Sequence, residues 1–480
     1  MTPDYKSLPL IGSHKRFPQT DAQTVANYYA EVVDAKKGVV ILRSRPGLLS
    51  FGEAAGSLGG RGLHVVNDRL FAVRGNTVSE WNGSAFVSIG TLSSISGKVG
   101  ISDNGDQVLF VDAATGYGFD LGTNTFLTAA DFVGAFFPGG LSASEFAAAR
   151  CFTIEPGTDR FWNCDLFDPD FPLTSGVFSW PGLNFTTAEA FPDGLSALAS
   201  LGQVVFMLGA SSIEPWRDEG FADTPLRRVN SVVKIGISAP ASAAVFGDSV
   251  YFLGGSSEGQ GIVYKSSGYT PVRISDNQIE ELIAKMGGMT DAVGYVYQER
   301  GHVFYVLSFM TGQKTLVYDI TTGLWAERAS RDPDTYVISQ EYGAYSAFYR
   351  GKNLVMDYRN GMVYEMSKAF TSDDGDPIFL ERAFPPYPQE SNDFTVFKGF
   401  ELMMDIGNAE INADPENLEF SWSADRGKTW EMPMTVDLGA VGEYGLRIPF
   451  LGLGADYSRN FRCRMVTKRE ITLREAGVRV

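Results

Sequence analysis

One phrase of apolar and polar positions recurs along the chain of 480 residues. It is clearest at 202–216, GQVVFMLGASSIEPW: a turn, a short apolar run, a Leu-Gly break and a closing aromatic. The apolar centres are Phe71, Phe110, Trp162, Phe206, Phe252, Tyr305 and Val355, separated by 39, 52, 44, 46, 53 and 50 residues. The closing aromatics are Trp81, Phe119, Phe178, Trp216, Tyr264, Tyr318 and Tyr364. A short apolar run bounded by turn residues reads as a strand. Imperfect repeats of about 40–50 residues, each a strand pair with room for two more, predict a β-propeller. A β-sandwich does not need seven copies of one phrase, so the propeller is assigned to residues 56–370. The short first gap allows six or seven blades, with a first or last blade completed by a strand from the other end of the chain.

The flanks read differently. Residues 1–55 form an N-terminal arm punctuated by Pro3, Pro9, Pro18 and Pro46, in which 22–33 fits a helix or a strand and 38–50 a strand followed by a Pro-Gly turn. One helix interrupts the β pattern at 276–286: Ser275 and Gln278 suit a capping box, Ile279, Leu282, Ile283 and Met286 share a face, and Gly287 stops it. It is expected to pack on the side of a blade. Clustered Pro and Asp make 371–393 a linker, and the alternating strands of 394–480 make a C-terminal β-sandwich domain, so the chain is all-β.

Composition sharpens this picture. The 53 glycines, 34 phenylalanines and 20 tyrosines suit turn-rich β-structure. A net charge of −17 opposes general nucleic-acid binding, because phosphate affinity comes from Lys and Arg releasing counterions. The charge is uneven: residues 1–50 carry +3 and 458–480 carry +5, leaving −25 between them. Basic ends on an acidic body point to docking on acidic partners. Cys151, Cys164 and Cys463 lack metal-ligand spacing and read as buried small hydrophobes. The N-terminus lacks the apolar core of a signal peptide, and no run reaches the ~18 apolar residues of a membrane helix.

No catalytic, cofactor-binding or metal site assembles from the residues. His14, His64 and His302 are scattered, there is no nucleophile elbow, Walker loop or dinucleotide fingerprint, and the Gly-rich stretch at 56–62 reads as a turn. The carboxylates Asp165, Asp168 and Asp170, and again Asp373, Asp374 and Asp376, lie beside prolines and read as solvated loops. Ser423, Asp425, Gly427 and Trp430 resemble the Asp-box of sialidases and other propellers, where Asp and Gly lock a turn and Trp packs beneath it. It occurs once and outside the propeller, and no arginine triad with a tyrosine nucleophile accompanies it. A sialidase-like, carbohydrate-active propeller enzyme is therefore the alternative reading.

Six stretches carry a wider resemblance: 41–52 (ILRSRPGLLSFG), 204–216, 248–283, 302–325, 420–430 and the C-terminal FRCRMVTKREITLREAGVRV. In this order and spacing the chain resembles the packaged-DNA stabilisation proteins, also called tail accessory factors or tail hubs, of short-tailed double-stranded-DNA phages. The resemblance implies a non-enzymatic virion tail protein, made in the bacterial host cytoplasm, that forms a homo-oligomeric ring of six copies. The ring would extend the channel below the portal and its adaptor, receive the tail needle or plug, anchor tailspikes and retain packaged DNA until genome ejection. No cofactor and no membrane span are implied, and the duplex would pass without specific binding. Arg43, Arg45, Arg459, Arg462, Arg464, Lys468 and Arg469 are the partner-docking candidates, and the acidic middle would line the duct.

Overall fold

The second strand of each repeat is apolar on both faces because a neighbouring blade covers each side. Gln107–Val111 and Arg150–Ile154 are buried at every position. The structure, a computed structural model, describes residues 5–11, 23–34, 39–133, 137, 140–191, 193–221, 225–256, 259–332, 334–388, 393–407, 416–439 and 444–480; His14 lies outside them. Within them the repeats form seven antiparallel blades: 60–91, 100–128, 142–187, 195–228, 236–273, 293–328, and 343–367 with a strand from the N-terminal region. The first strands of successive blades lie side by side, and that of blade 7 returns to that of blade 1. Each of the seven blade junctions holds its own apolar cluster. Phe71 meets Phe110 between blades 1 and 2 at 6.3 Å, and Tyr251 meets Tyr305 between blades 5 and 6 at 5.5 Å.

The third phrase is one strand out of step with the blade. Trp162 lies on the third strand, Arg160–Asn163, and the second strand is Arg150–Ile154, centred on Phe152. Phe178 closes no strand; it sits in the short 3-10 turn Gly176–Phe178. The connection 164–184 tucks Val177, Phe178 and Trp180 into the core between blades 2 and 3. Its apolar residues imitate the repeat.

The described residues of 1–55 do not form an arm. They hold β1 (Lys6–Leu8), β2 (Thr24–Ala26), β3 (Tyr28–Asp34), β4 (Val39–Ser44) and β5 (Gly47–Glu53). β5 is the outer strand of blade 7, pairing with Met362–Ser367. β1 and β4 pair with the last strand of the chain, Ile471–Arg479, and β3 pairs with β4, so these three belong to one sheet of the sandwich together with Thr395–Ile406 and Gly445–Asp456. The facing sheet runs from Met434–Asp437 through Asn417–Ser423, Asn460–Thr467 and Asp376–Ala383 to β2. The stretch 371–393 therefore carries a sandwich strand, Asp376–Ala383, where a linker was expected. β2 also pairs in parallel with the outer strand of blade 6, Ala26 opposite Glu327, so the sheet hydrogen bonding passes from sandwich to propeller. Phe400, Phe420, Phe450 and Phe461 fill the sandwich core, with Phe420 stacked on Phe450 at 4.1 Å.

The helix spans Asn277–Lys285. Asp276 caps it, accepting from the Gln278 and Ile279 amides, so Ser275 is not the cap. Ile279 and Ile283 pack into the cluster between blades 5 and 6, the side-of-blade position expected.

Ring closure rests on β5. Gly47 admits no side chain, since a Cβ would lie 2.7 Å from the Phe370 carbonyl oxygen. Leu48 is 1% exposed and Leu49 45% exposed, the alternation of a half-buried strand. Leu48→Ala is expected to destabilise the protein by about 2–5 kcal/mol, whereas Leu49→Ala stays within about 0.5 kcal/mol. Urea unfolding followed by tryptophan fluorescence measures both; equal effects would show that β5 does not close the ring.

Candidate functional site

The junction between propeller and sandwich is organised by a buried guanidinium. Arg45 lies between β4 and β5, and its side chain is 1% exposed. Its Nη1 donates to Asp373 Oδ1 at 2.9 Å and to the Pro46 carbonyl at 2.8 Å. Its Nη2 donates to Asp373 Oδ2 at 2.5 Å and to the Ala329 carbonyl at 3.3 Å, and its Nε donates to Asn27 Oδ1 at 3.0 Å. All five N–H groups of the fork are thus engaged. Burial works against the charge, but the Asp373 carboxylate outweighs it and holds the group above its ordinary value. Asn27, between β2 and β3, adopts φ 62, a left-handed conformation that Asn tolerates. Its side-chain amide donates to the Ala329 carbonyl at 2.8 Å and to the Phe379 carbonyl at 2.6 Å, and its Oδ1 accepts from the Ala329 amide at 2.9 Å. One node thus joins blade 6, the β5 closure and a sandwich strand.

A charged seam continues from the node. Arg328 is buried over the rings of Tyr297 and Phe304, donates to the Tyr297 hydroxyl, and lies 3.6 Å from Glu341, which is also buried. Lys368 donates to the Ser44 carbonyl at 2.8 Å and pairs with Glu470 at 3.0 Å; burial pulls its pKa down against that partner. Tyr29 of the sandwich sits edge-on to His302 of blade 6 at 5.0 Å. His302 Nδ1 lies 2.8 Å from Asp319 Oδ2, and this hydrogen bond raises its pKa against burial.

The structure separates the expected docking cations. Arg45, Arg459 and Arg469 are buried inside the fold. Arg459 donates to the Leu453 and Ala455 carbonyls and lies over Phe397 and Trp422. Arg469 pairs with Glu416 at 2.7 Å and reaches the Leu438 and Gly439 carbonyls. These three brace loops of the fold. Arg43 is one-third exposed and held by Glu31 and Glu470; Arg464 is 39% exposed and paired with Glu381; Lys468 is half-buried. Arg462 stacks over Trp430 at 4.0 Å. A surface role therefore remains only for Arg43, Arg462, Arg464 and Lys468. No pattern of residue type distinguishes the two groups: Arg45 and Arg469 meet acids distant in sequence, Asp373 and Glu416, whereas Arg459 turns back on the carbonyls of Leu453 and Ala455 in its own hairpin.

The carboxylate groups also part. Asp373 is committed to Arg45, and Asp374 accepts from the Ser50 amide at 3.0 Å. Asp165 accepts from Ser179 at 2.7 Å and Asn184 at 3.1 Å, whereas Asp168 and Asp170 are exposed. At the Asp-box-like turn, the Gly427 amide donates to the Ser423 hydroxyl at 2.8 Å and Asp425 accepts from the Thr429 amide at 2.8 Å and from the Thr429 hydroxyl at 2.6 Å; these bonds hold its carboxyl well below the usual range.

Where the blades converge, a cavity of about 970 Å³ is lined by Arg61, Lys98, Glu145, Asp291 and Tyr345. Arg61 is the one arginine in this lining among the described residues, and it is spent on the carbonyls of Gly75, Ser94, Ser96 and Gly97 and on the Ser94 hydroxyl. A sialidase-type site needs several arginines converging on a carboxylate, and this lining does not supply them. Lys98 is open to water along the cavity yet enclosed by the blades, which lowers its pKa; burial raises that of Glu145, which accepts from Ser200 at 2.7 Å. Among the described residues no three His, Cys, Asp or Glu gather in a way that could hold a metal.

Asp373→Asn strands a buried guanidinium and is expected to cost about 3–5 kcal/mol, with part recovered in Arg45→Met/Asp373→Leu; thermal unfolding with limited proteolysis of 44–53 measures this. For His302, a folded pKa above the ordinary value near 6.5 stabilises fully below that value and loses its contribution as pH rises through the folded pKa. The gap in Tm between the native protein and His302→Gln is therefore expected to shrink from about pH 5 to about pH 9; a gap that widens would remove the assignment.

Comparison with known proteins agrees with this architecture. The model of the family described as bacteriophage P22 Gp10, beta-propeller, matches residues 7–371, and that described as bacteriophage P22 Gp10, beta-sandwich, matches residues 384–480. No curated protein matches. Among solved structures, a chain of "Crystal Structure of Mitotic Checkpoint Complex" aligns at 9% identity over 76% of this chain and 93% of that one, with a TM-score of 0.37, too low to carry an argument. On the two matches, which between them span the blades and the sandwich, the chain belongs to the bacteriophage P22 Gp10 family and is a phage tail structural protein.

Proposed function

We propose that the protein is the tail hub, or nozzle, of a short-tailed phage. Six copies form a ring that extends the channel of the portal and its adaptor, seals and stabilises packaged DNA, and anchors the tail needle or plug and the tailspikes. The observation that carries this reading is the pair of family matches, 7–371 and 384–480, which account for nearly the whole chain in order. The protein is made in the host cytoplasm and built into the virion tail. Its three cysteines are buried and unpaired and need no oxidising compartment. Among the described residues no helix is long and apolar enough to cross a membrane.

The physical chemistry supports such a duct. A channel that must hold and then release a duplex works best when its wall does not neutralise phosphates, and the −25 carried between the two basic ends would repel the duplex and let it slide. Arg43, Arg462, Arg464 and Lys468, the cations left at the surface, are the ones to dock neighbours. No catalytic step and no cofactor enter this role.

Native mass spectrometry of the protein, alone and mixed with the adaptor ring, tests the proposal. Six copies per adaptor ring are expected, along with loss of DNA from particles assembled without the protein and no retention of free duplex at physiological salt. A monomer that never joins the adaptor and cleaves a sialoside would overturn the proposal in favour of the enzyme.

A further inference from the structure

The carboxylates at 165–170 and the Asp-box at 423–430 both stand on the surface of the molecule. The first lies on blade 3 and the second on the sandwich. The sandwich joins the propeller at blades 6 and 7, through β2 and β5. Blade 3 is three blades away from blade 6 in one direction and three from blade 7 in the other. It therefore faces away from the sandwich.

Blade 3 carries a knob. The connection 164–184 between its third and fourth strands is longer than the matching connections of the other blades, such as 82–85 and 320–323. The knob is rigid: the Gly176 amide donates to the Leu166 carbonyl at 3.1 Å, the Ser175 hydroxyl to the Phe171 carbonyl at 2.9 Å, and the Val177 amide to Gln107 Oε1 of blade 2 at 2.9 Å. On this base Leu166, Phe171 and Leu183 are 53%, 65% and 81% exposed, with Asp168 and Asp170 exposed between them. Large apolar side chains held outward on a braced loop mark an interaction surface, and the bracing lowers the ordering cost of binding.

The sandwich offers the complement. The Asp-box locks the turn that carries Arg426 and Lys428, both exposed and neither paired with an acid among the described residues. Beside them Met432 is 88% exposed, and Trp430 lies half-buried under Arg462. Glu431 is the exposed acid on this stretch.

We propose that the blade 3 knob of one copy docks on the Asp-box face of the next. Phe171 and Leu166 pack on Met432 and Trp430, and Asp168 and Asp170 meet Arg426 and Lys428. One chain cannot fold its own poles together, so the contact is head-to-tail, the kind that closes a ring when the rotation per copy allows it. The inference rests on the ring of the hub reading and supplies its lateral contact.

The test is self-association by sedimentation, alone and on the adaptor ring, of Asp168→Lys/Asp170→Lys, of Arg426→Glu/Lys428→Glu, and of the fourfold combination. Each single-pole reversal is expected to weaken association at least about tenfold and the combination to recover most of it, with native association falling as salt rises. All these positions are exposed, so unfolding curves should match the native protein and separate a lost contact from a lost fold. Carbodiimide coupling of mixed light and heavy-isotope copies is expected to join Lys428 of one copy to Asp168 or Asp170 of another. Rings that persist unchanged in both single-pole reversals would overturn this contact and leave the hub reading standing. A native protein that associates under neither condition would remove the ring, and this contact with it.

Discussion

The buried pair of Arg45 and Asp373 sits where three requirements of the fold meet. A propeller closes only when its last blade receives an outer strand, and here that strand, β5, begins two residues after Arg45. Asp373 reaches the same strand through the bridge between Asp373 and Leu48. The fork also takes the Ala329 carbonyl beyond blade 6 and, through Asn27, the sandwich strand at Phe379. A buried ion pair gains little net stability over a well-packed apolar pair, since desolvation consumes most of the Coulomb energy. Its contribution here is register. A slip of β5 by one residue would turn Leu48 outward and Leu49 into the core, and five directional donors forbid that slip.

What the sequence made legible follows the range of the interactions. The Asp-box could be read because every bond that makes it, from Ser423 to Thr429, is local. The blades could be read because each second strand is covered on both faces by neighbours of the same kind, and that environment selects the same apolar run each time. The third phrase failed where this logic fails: the connection 164–184 buries Phe178 and Trp180 for reasons unrelated to strand pairing. The helix is legible from its apolar face, but its cap is not, because Ser275 and Asp276 both suit that position chemically and only the fold selects Asp276.

The N-terminal strands were illegible for a different reason. Lys6 pairs with Val478, and Thr24 with Ala383, so what makes these segments strands lies hundreds of residues away. Read alone, residues 1–46 show prolines, short runs and several cations, the composition of an arm. Arg45, Arg459 and Arg469 belong to the same failure. Isolated in sequence they look like surface charge for a partner, whereas the acids of Arg45 and Arg469 are brought to them only by the finished fold and Arg459 is enclosed by its own hairpin and the Phe397 and Trp422 rings.

Such long-range pairing governs when the monomer is complete. β5 cannot be locked until Asp373 is made, and β1 and β4 cannot pair until the last strand, 471–479, leaves the ribosome. The propeller repeats, by contrast, pair locally and can form as they emerge. Both proposed poles depend on this order: the blade 3 knob is built early, while the face that carries Arg426 and Lys428 stands on strands that wait for the C-terminus. A chain whose second pole forms last presents only one half of a head-to-tail contact during synthesis. If the ring closes through the proposed contact, it cannot propagate until each copy is whole, and the strand order that is hardest to read would then restrain premature assembly.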